Sequence, residues 1–189
     1  MIRELVLKNR SYRRFYQDKP VEAGLLKQLI DLARLSPSAA NLQPLKYIIS
    51  AEPERNSLIF PTLAWAGYLT DWPGPAEGER PAAYIIILGD KRIKRKIDCD
   101  HGIAAQSILL GAVENGLGGC IIASINREEL RRVLNIPEDF DILLVLALGV
   151  PDEKIQLEIM DREANIKYWR DEQNVHHVPK RALDDIIIK

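Results

Sequence analysis

Along this chain, short unbroken apolar runs alternate with stretches whose apolar residues recur at three- and four-residue steps. Between residues 21 and 35, Leu25, Leu26, Leu29, Ile30 and Ala33 keep the helical step, which predicts an amphipathic helix with one face in the core. Pro37 ends it, because the residue before a proline is pushed to extended geometry. LKYIISA (45–51) is short and rich in β-branched and aromatic residues and reads as a strand, followed by a helix over 53–66. AAYIIILG (82–89) and DILLVLALGV (141–150) are uninterrupted apolar strands of the kind buried on both faces. Between them, a helix over 102–115 carries Ala104, Gly111 and Ala112, small enough for close backbone approach, and gives way at Gly116 to the strand CIIAS (120–124). Asn126 with Glu129 marks the start of another helix, through Leu134, stopped by Ile136 and Pro137. By pattern alone, strands alternating with helices suggest a doubly wound parallel sheet.

Three segments fall outside that alternation. Ile2, Leu5, Val6 and Asn9 trace one short helical face at the start. Around residues 65–81, Trp65, Tyr68 and Trp72 are interleaved with prolines and glycines, a loop whose aromatics either stack on a ligand or pack onto the body or a partner subunit. After Pro151 the chain becomes charged and irregular, yet it closes on Ile186, Ile187 and Ile188. A terminus that apolar must dock, and β-augmentation of an edge strand suits it.

Composition narrows the class. The 189 residues form one domain, 1–189, long enough to bury about 70% of the unfolded surface. At 47% hydrophobic and 28% charged the chain reads as a globular protein, and its net charge of -1 gives no global attraction to nucleic acid or to an anionic membrane. No apolar run approaches the roughly 18 residues that span a bilayer, so a cytoplasmic location is expected. Cys99 and Cys120 lack metal-ligand spacing and are expected to be free thiols.

The candidate chemistry lies in two stretches. Arg10, Ser11, Arg13 and Arg14 form a local basic cluster, with Arg10 and Arg13 at helix-like spacing around the Ser11 hydroxyl, suited to a phosphate. SPSAANLQP (36–44) is a polar elbow between a helix and a strand, and the amides of Asn41 and Gln43 suit the edge of a planar heterocycle. GLGG at 116–119 leaves a helix and enters a strand, the reverse of the dinucleotide fingerprint. Asp98, Asp100 and His101 are N-terminal helix charges rather than a metal site. His176 and His177 would point to opposite sides of an extended chain, at the surface or toward a substrate.

RSYRRF (10–15) together with SPSAANLQP resembles the paired signature of the FMN-dependent nitroreductase family, and GLGGCIIAS (116–124), ALGVP (147–151) and PKRAL (179–183) extend the resemblance over nearly the whole chain. Asn9 stands where many members carry the first arginine of a pair. The resemblance implies an α+β nitroreductase-like fold: a central mixed, mostly antiparallel sheet flanked by helices, in an intertwined homodimer with C-terminal strand exchange and FMN at the interface. It further implies ping-pong transfer of reducing equivalents from NADH or NADPH through FMN to a small electron-poor acceptor such as a nitroaromatic or quinone. Arg10, Ser11, Arg13, Lys180 and Arg181 would hold phosphate and ribityl. The elbow residues Pro37, Ser38, Asn41 and Gln43 would meet the ring or ribityl from the other subunit. Backbone amides around Ala123, Ser124 and Ile125 would face flavin N5, and no side chain is expected as proton donor. A flavin-binding or redox-sensing module without turnover, or other flavin chemistry such as reductive dehalogenation, are the alternatives.

Overall fold

A computed structural model of the chain describes residues 1–160 and 165–188. Its centre is a four-stranded sheet of β1 (Leu45–Ser50), β2 (Ala83–Asp90), β3 (Gly118–Ile122) and β4 (Phe140–Gly149). The order is β1-β2-β4-β3 and every pair is antiparallel. This corrects the parallel sheet suggested by the alternation of elements. Periodicity reports which faces are buried and carries no information on strand direction.

Helices α1 (Ile2–Lys8), α2 (Ala23–Leu35), α3 (Pro53–Ile59), α4 (Asp100–Glu114) and α5 (Arg127–Leu134) surround this sheet. On one face Leu26, Leu29, Ala105 and Ile108 of α2 and α4 pack against Ile85, Ile87 and Leu146. A Cβ at Gly111 would collide with Leu32, so the glycine sets how closely α2 and α4 approach. On the other face Ile59, Leu130 and Ile136 pack against Tyr84, Ile86 and Val145. All eight residues of β2 are buried, each isoleucine contributing about 2–3 kcal/mol. Leu143 is an extra residue opposite Ile87 and Leu88, and this bulge puts Ile142 and Leu144 into opposite cores although they are two apart.

The helix expected over 53–66 stops at Ile59 and tightens into a single 3-10 turn at Phe60–Thr62, because Pro61 has no N–H to continue it. Asn126 caps α5 as expected, its Oδ1 accepting from the Glu129 amide at 3.2 Å, and Asn135 closes the helix in the left-handed region at φ 51°.

The segment after Pro151 is not irregular. It builds a second sheet from β5 (Ile155–Met160), β6 (Trp169–Arg170) and β7 (His176–Arg181), in the order β5-β7-β6, with β5 and β7 parallel. His176 and His177 are buried, at 1% and 8% exposure, and not at the surface. They do point to opposite sides of their strand. The closing isoleucines form no strand in this chain: Leu183–Ile186 is one helical turn, α6, and Ile186, Ile187 and Ile188 stay exposed. Among the described residues, no helix is long and apolar enough to cross a membrane.

Candidate functional site

The basic segment after α1 is extended, not helical. Ser11 bridges to Gly119 of β3 and Phe15 to Pro151, and the Tyr12 amide donates to the Gly119 carbonyl at 3.1 Å. Phe15 is fully buried and packs against Gly149, which anchors the segment to the end of β4. The helix-like spacing of Arg10 and Arg13 is therefore not what brings them together. They converge because an extended segment lies along the sheet edge. Arg14 points away and pairs with Glu79.

Here the chain forms a cavity of 330 Å³. Its cations are Arg10 and Arg13 from the N-terminal segment and Lys180 from β7, and Ser11, Asn9 and Gln106 supply neutral polar groups. Among the described residues, no carboxylate lines it. Arg10 Nη2 donates to the Val6 carbonyl at 2.7 Å, while its buried Nε has no partner among the described residues and burial pulls the guanidinium down from its ordinary value. Arg13 Nη1 donates to the Ser11 carbonyl at 3.2 Å and lies 3.4 Å from His176 Nε2. Burial, the main cause, and the nearby Arg13 together depress His176 to about 4, so its neutral ring can accept from the guanidinium. Arg13 also stands over the Tyr168 ring at 4.7 Å. Behind it Glu153, its carboxylate fully enclosed, accepts from the Arg13 amide at 2.9 Å and from Arg170 at 2.6 Å. Lys180 reaches the cavity because residues 176, 178 and 180 share one face of β7, and Arg181 is absent from the lining for the same reason.

The elbow lies elsewhere. Ser38 Oγ donates to Asp100 Oδ2 at 2.6 Å and accepts from the Gln43 amide at 3.0 Å, and Asp100 Oδ1 accepts from the Ala39 amide at 3.2 Å. Asp100 is thus more than a helix-dipole charge: buried, it clamps the elbow, and the Ser38 bond is the main cause of its lowered pKa. The clamp holds Ala40, Asn41 and Gln43 at φ between 51° and 54°, a left-handed region costly for a non-glycine residue. Pro37, Ser38 and Gln43 line a separate hollow of 220 Å³ with Tyr47 and Asp100, and Asn41 is exposed. Within one chain, the elbow and the cation cavity are not one site.

Ala123 and Ser124 line a third hollow, of 170 Å³, which Arg13 also reaches, so it adjoins the cation cavity. The Leu63–Ile125 bridge holds the backbone there: Ser124 offers its carbonyl to Ala64 at 3.0 Å and the Asn126 amide donates to Thr62 at 2.8 Å. The Ser124 and Ile125 amides make no hydrogen bond to another described residue. The aromatic loop packs onto the body: Trp65 against Phe60 at 5.8 Å, Tyr68 against Tyr168 at 5.0 Å, and Trp72 beneath Arg170 at 4.3 Å.

Sequence reasoning missed Tyr168 in the cavity and Glu153 behind it, and left His176 at the surface or toward a substrate. Adjacent histidines were the one available signal. The fold and site define an α+β protein that gathers three cations beside a backbone segment with free amides. The model of the nitroreductase family matches residues 6–150, and the chain belongs to that family. It is similar to a NADH dehydrogenase of Thermus thermophilus, 27% identical over 176 residues, covering 78% of this chain and 85% of the relative. Among solved structures, a nitroreductase family protein from Streptococcus pneumoniae superimposes with a TM-score of 0.70 over 100% of both chains at 19% identity. An FMN-dependent nitroreductase from Clostridium difficile gives 0.64 at 24% identity, over 82% of this chain and 89% of that one.

Proposed function

We propose that this chain is a single-domain, FMN-dependent oxidoreductase that passes reducing equivalents from NADH or NADPH to a nitroaromatic, quinone or similar electron-poor acceptor. The observation that carries this reading is the cation cavity: Arg10, Arg13 and Lys180 face one space in which, among the described residues, no carboxylate lines the wall and the buried Nε of Arg10 has no partner. That donor set fits a phosphate monoester, which accepts charge-assisted bonds from several sides. The Ser11 hydroxyl adds a neutral donor for phosphate or ribityl.

When bound, FMN supplies hydride acceptance at N5 and onward electron transfer, so the protein need only bind, orient and tune it. Neutral His176 and the Tyr168 ring orient Arg13 without cancelling its charge. The amide of Ser124, in the hollow that Arg13 shares, and that of Ile125 next to it would suit the polar edge of an isoalloxazine ring. Arg181, on the other face of β7, is left out of the seat. Because Ser38, Asn41 and Gln43 lie in a separate hollow, their role belongs to a homodimer in which the elbow of one chain completes the site of the other. The exposed apolar end at Ile186–188 supports an exchanged C-terminal arm. The near-neutral charge fits a cytoplasmic protein with no pull toward anionic membrane or nucleic acid.

The test is an anaerobic titration of the FMN-reconstituted protein with NADH and then NADPH, followed by a quinone or nitroarene. Bleaching of the flavin absorbance by a nicotinamide and its return with the acceptor support the reading. Bound flavin that neither nicotinamide reduces contradicts turnover and favours a binding module.

A further inference from the structure

Strand β7 presents its alternate side chains to two different environments. His176, Val178 and Lys180 line the cation cavity, and His177 points to the other side. There its Nδ1 stands 2.5 Å from Glu158 Oε1 and its Nε2 3.0 Å from Asp171 Oδ2. The ring lies flat on Trp169, with centroids 3.9 Å and planes 5° apart. A neutral imidazole carries one N–H, so only the imidazolium donates to both carboxylates at once. Glu158 belongs to β5, Trp169 to β6, and Asp171 opens the turn into β7, where its Oδ1 also accepts from the amides of Gln173 and Val175. One cation thus ties together every strand of the second sheet.

We infer that His177, held as an imidazolium between Glu158 and Asp171, is a positioning residue: it fixes β7 so that His176 and Lys180 stand in the cation cavity, and it makes anion binding there depend on pH. The inference rests on the phosphate reading of that cavity. The geometry accounts for a strand on which one face binds and the opposite face supplies the grip.

The charges around His177 all act in one sense. Asp171 and Glu158 face it; Arg170, on β6, turns away to Glu153 and the Trp72 ring; and its neighbour His176 is neutral. The hydrogen bond to Asp171 is the largest cause of a raised His177 pKa, with Glu158 adding to it against burial, and the same bond lowers Asp171. A folded-state pKa above the unfolded value of 6.5 means the clamp's stabilisation is complete below that pH. It is lost as pH rises through the raised value.

Two measurements test this. In long-range nitrogen-edited spectra of the histidine rings at about pH 7, both His177 nitrogens should be protonated. A neutral His177 overturns the inference, whatever the protein binds. Next, the Kd for FMN is followed by fluorescence quenching from about pH 6 to about pH 9 in the wild type, His177→Arg and His177→Gln. Wild-type affinity should fall about tenfold across that range, as expected for one displaced cation. His177→Arg, a permanent planar cation able to bridge both carboxylates and stack on Trp169, should bind tightly throughout, and His177→Gln weakly throughout. Thermal unfolding shows whether His177→Gln is folded, and His177→Arg keeps the test decisive if it is not. Titration of FMN itself is common to all three proteins. Parallel profiles for wild type and His177→Arg therefore overturn the inference. FMN bound by none of them at any pH overturns the flavin reading instead, and the ring spectrum with amide exchange of β7 then decides whether His177 holds the strand.

Discussion

The two sheets of this molecule are held by different physics. In the central sheet, β2 is buried throughout; from Ala83 to Leu88 its side chains lie between two apolar clusters and need only be apolar and of the right size, and its one charge, Asp90 at the end, pairs with Arg92. In the second sheet, burial is mostly of polar groups in pairs: Glu153 with Arg170, His176 beside Arg13, and His177 between Glu158 and Asp171. The apolar packing of the first is strong and indifferent to pH. The second is conditional, because each buried charge is tolerable only while its partner is present and in the right protonation state. The candidate site lies where the two meet, with Arg10 and Arg13 along the edge of the central sheet and Lys180 on the second.

The largest effect that probes this contrast is loss of core volume. Ile86, fully buried in β2, should cost about 3–4 kcal/mol as Ile86→Ala, read from the urea midpoint, with the same cost at every pH at which the protein folds. A slightly smaller cost, about 3 kcal/mol, is expected for Glu153→Ala, which strands the half-buried Arg170 and leaves the Arg13 amide without its acceptor. Hydrogen exchange should show that loss concentrated in β5–β7, and uniform loss across both sheets would erase the distinction between them. The smallest effect is titration of His176. Its pKa is depressed to about 4 from 6.5, so its contribution is complete above the unfolded value and is lost as pH falls through the folded one. The thermal midpoint should decline across that window in the wild type and decline less in His176→Gln. Adjacent His177 slopes the opposite way, losing its contribution as pH rises.

The same contrast explains what could be read in the sequence. The apolar run of β2 and the three- and four-residue steps of α2 are local signals of burial, and both elements stand where they were expected. The polarity of the elbow and the clustering of arginines were equally legible. Their geometry was not, because distant partners set it. Arg10 and Arg13 converge through backbone pairing of Ser11 with Gly119, and Ser38 is fixed by Asp100, 62 positions away. Strand β5 alternates apolar Ile155, Leu157 and Ile159 with polar Gln156 and Glu158, a legible period left unread, whereas β6 and β7, with His176, His177 and Lys180, carry no hydrophobic alternation. Their pairing energy lies in specific donors and acceptors, which leave no period in the sequence. Family membership reaches residue 150 and so stops short of this sheet, and what the second sheet does is argued from its own side chains.

The central claim is that Arg10, Arg13 and Lys180 seat the phosphate of FMN, and riboflavin, which lacks that phosphate, isolates it. The direct measurement compares Kd values for FMN and riboflavin in the wild type and in Lys180→Met, whose mutated side chain sits on an exposed residue of β7. Wild type should prefer FMN by about a hundredfold or more, and Lys180→Met should narrow that preference by about tenfold while leaving riboflavin affinity unchanged. Equal affinity of the wild type for the two flavins, or a variant that weakens both alike, would contradict the claim.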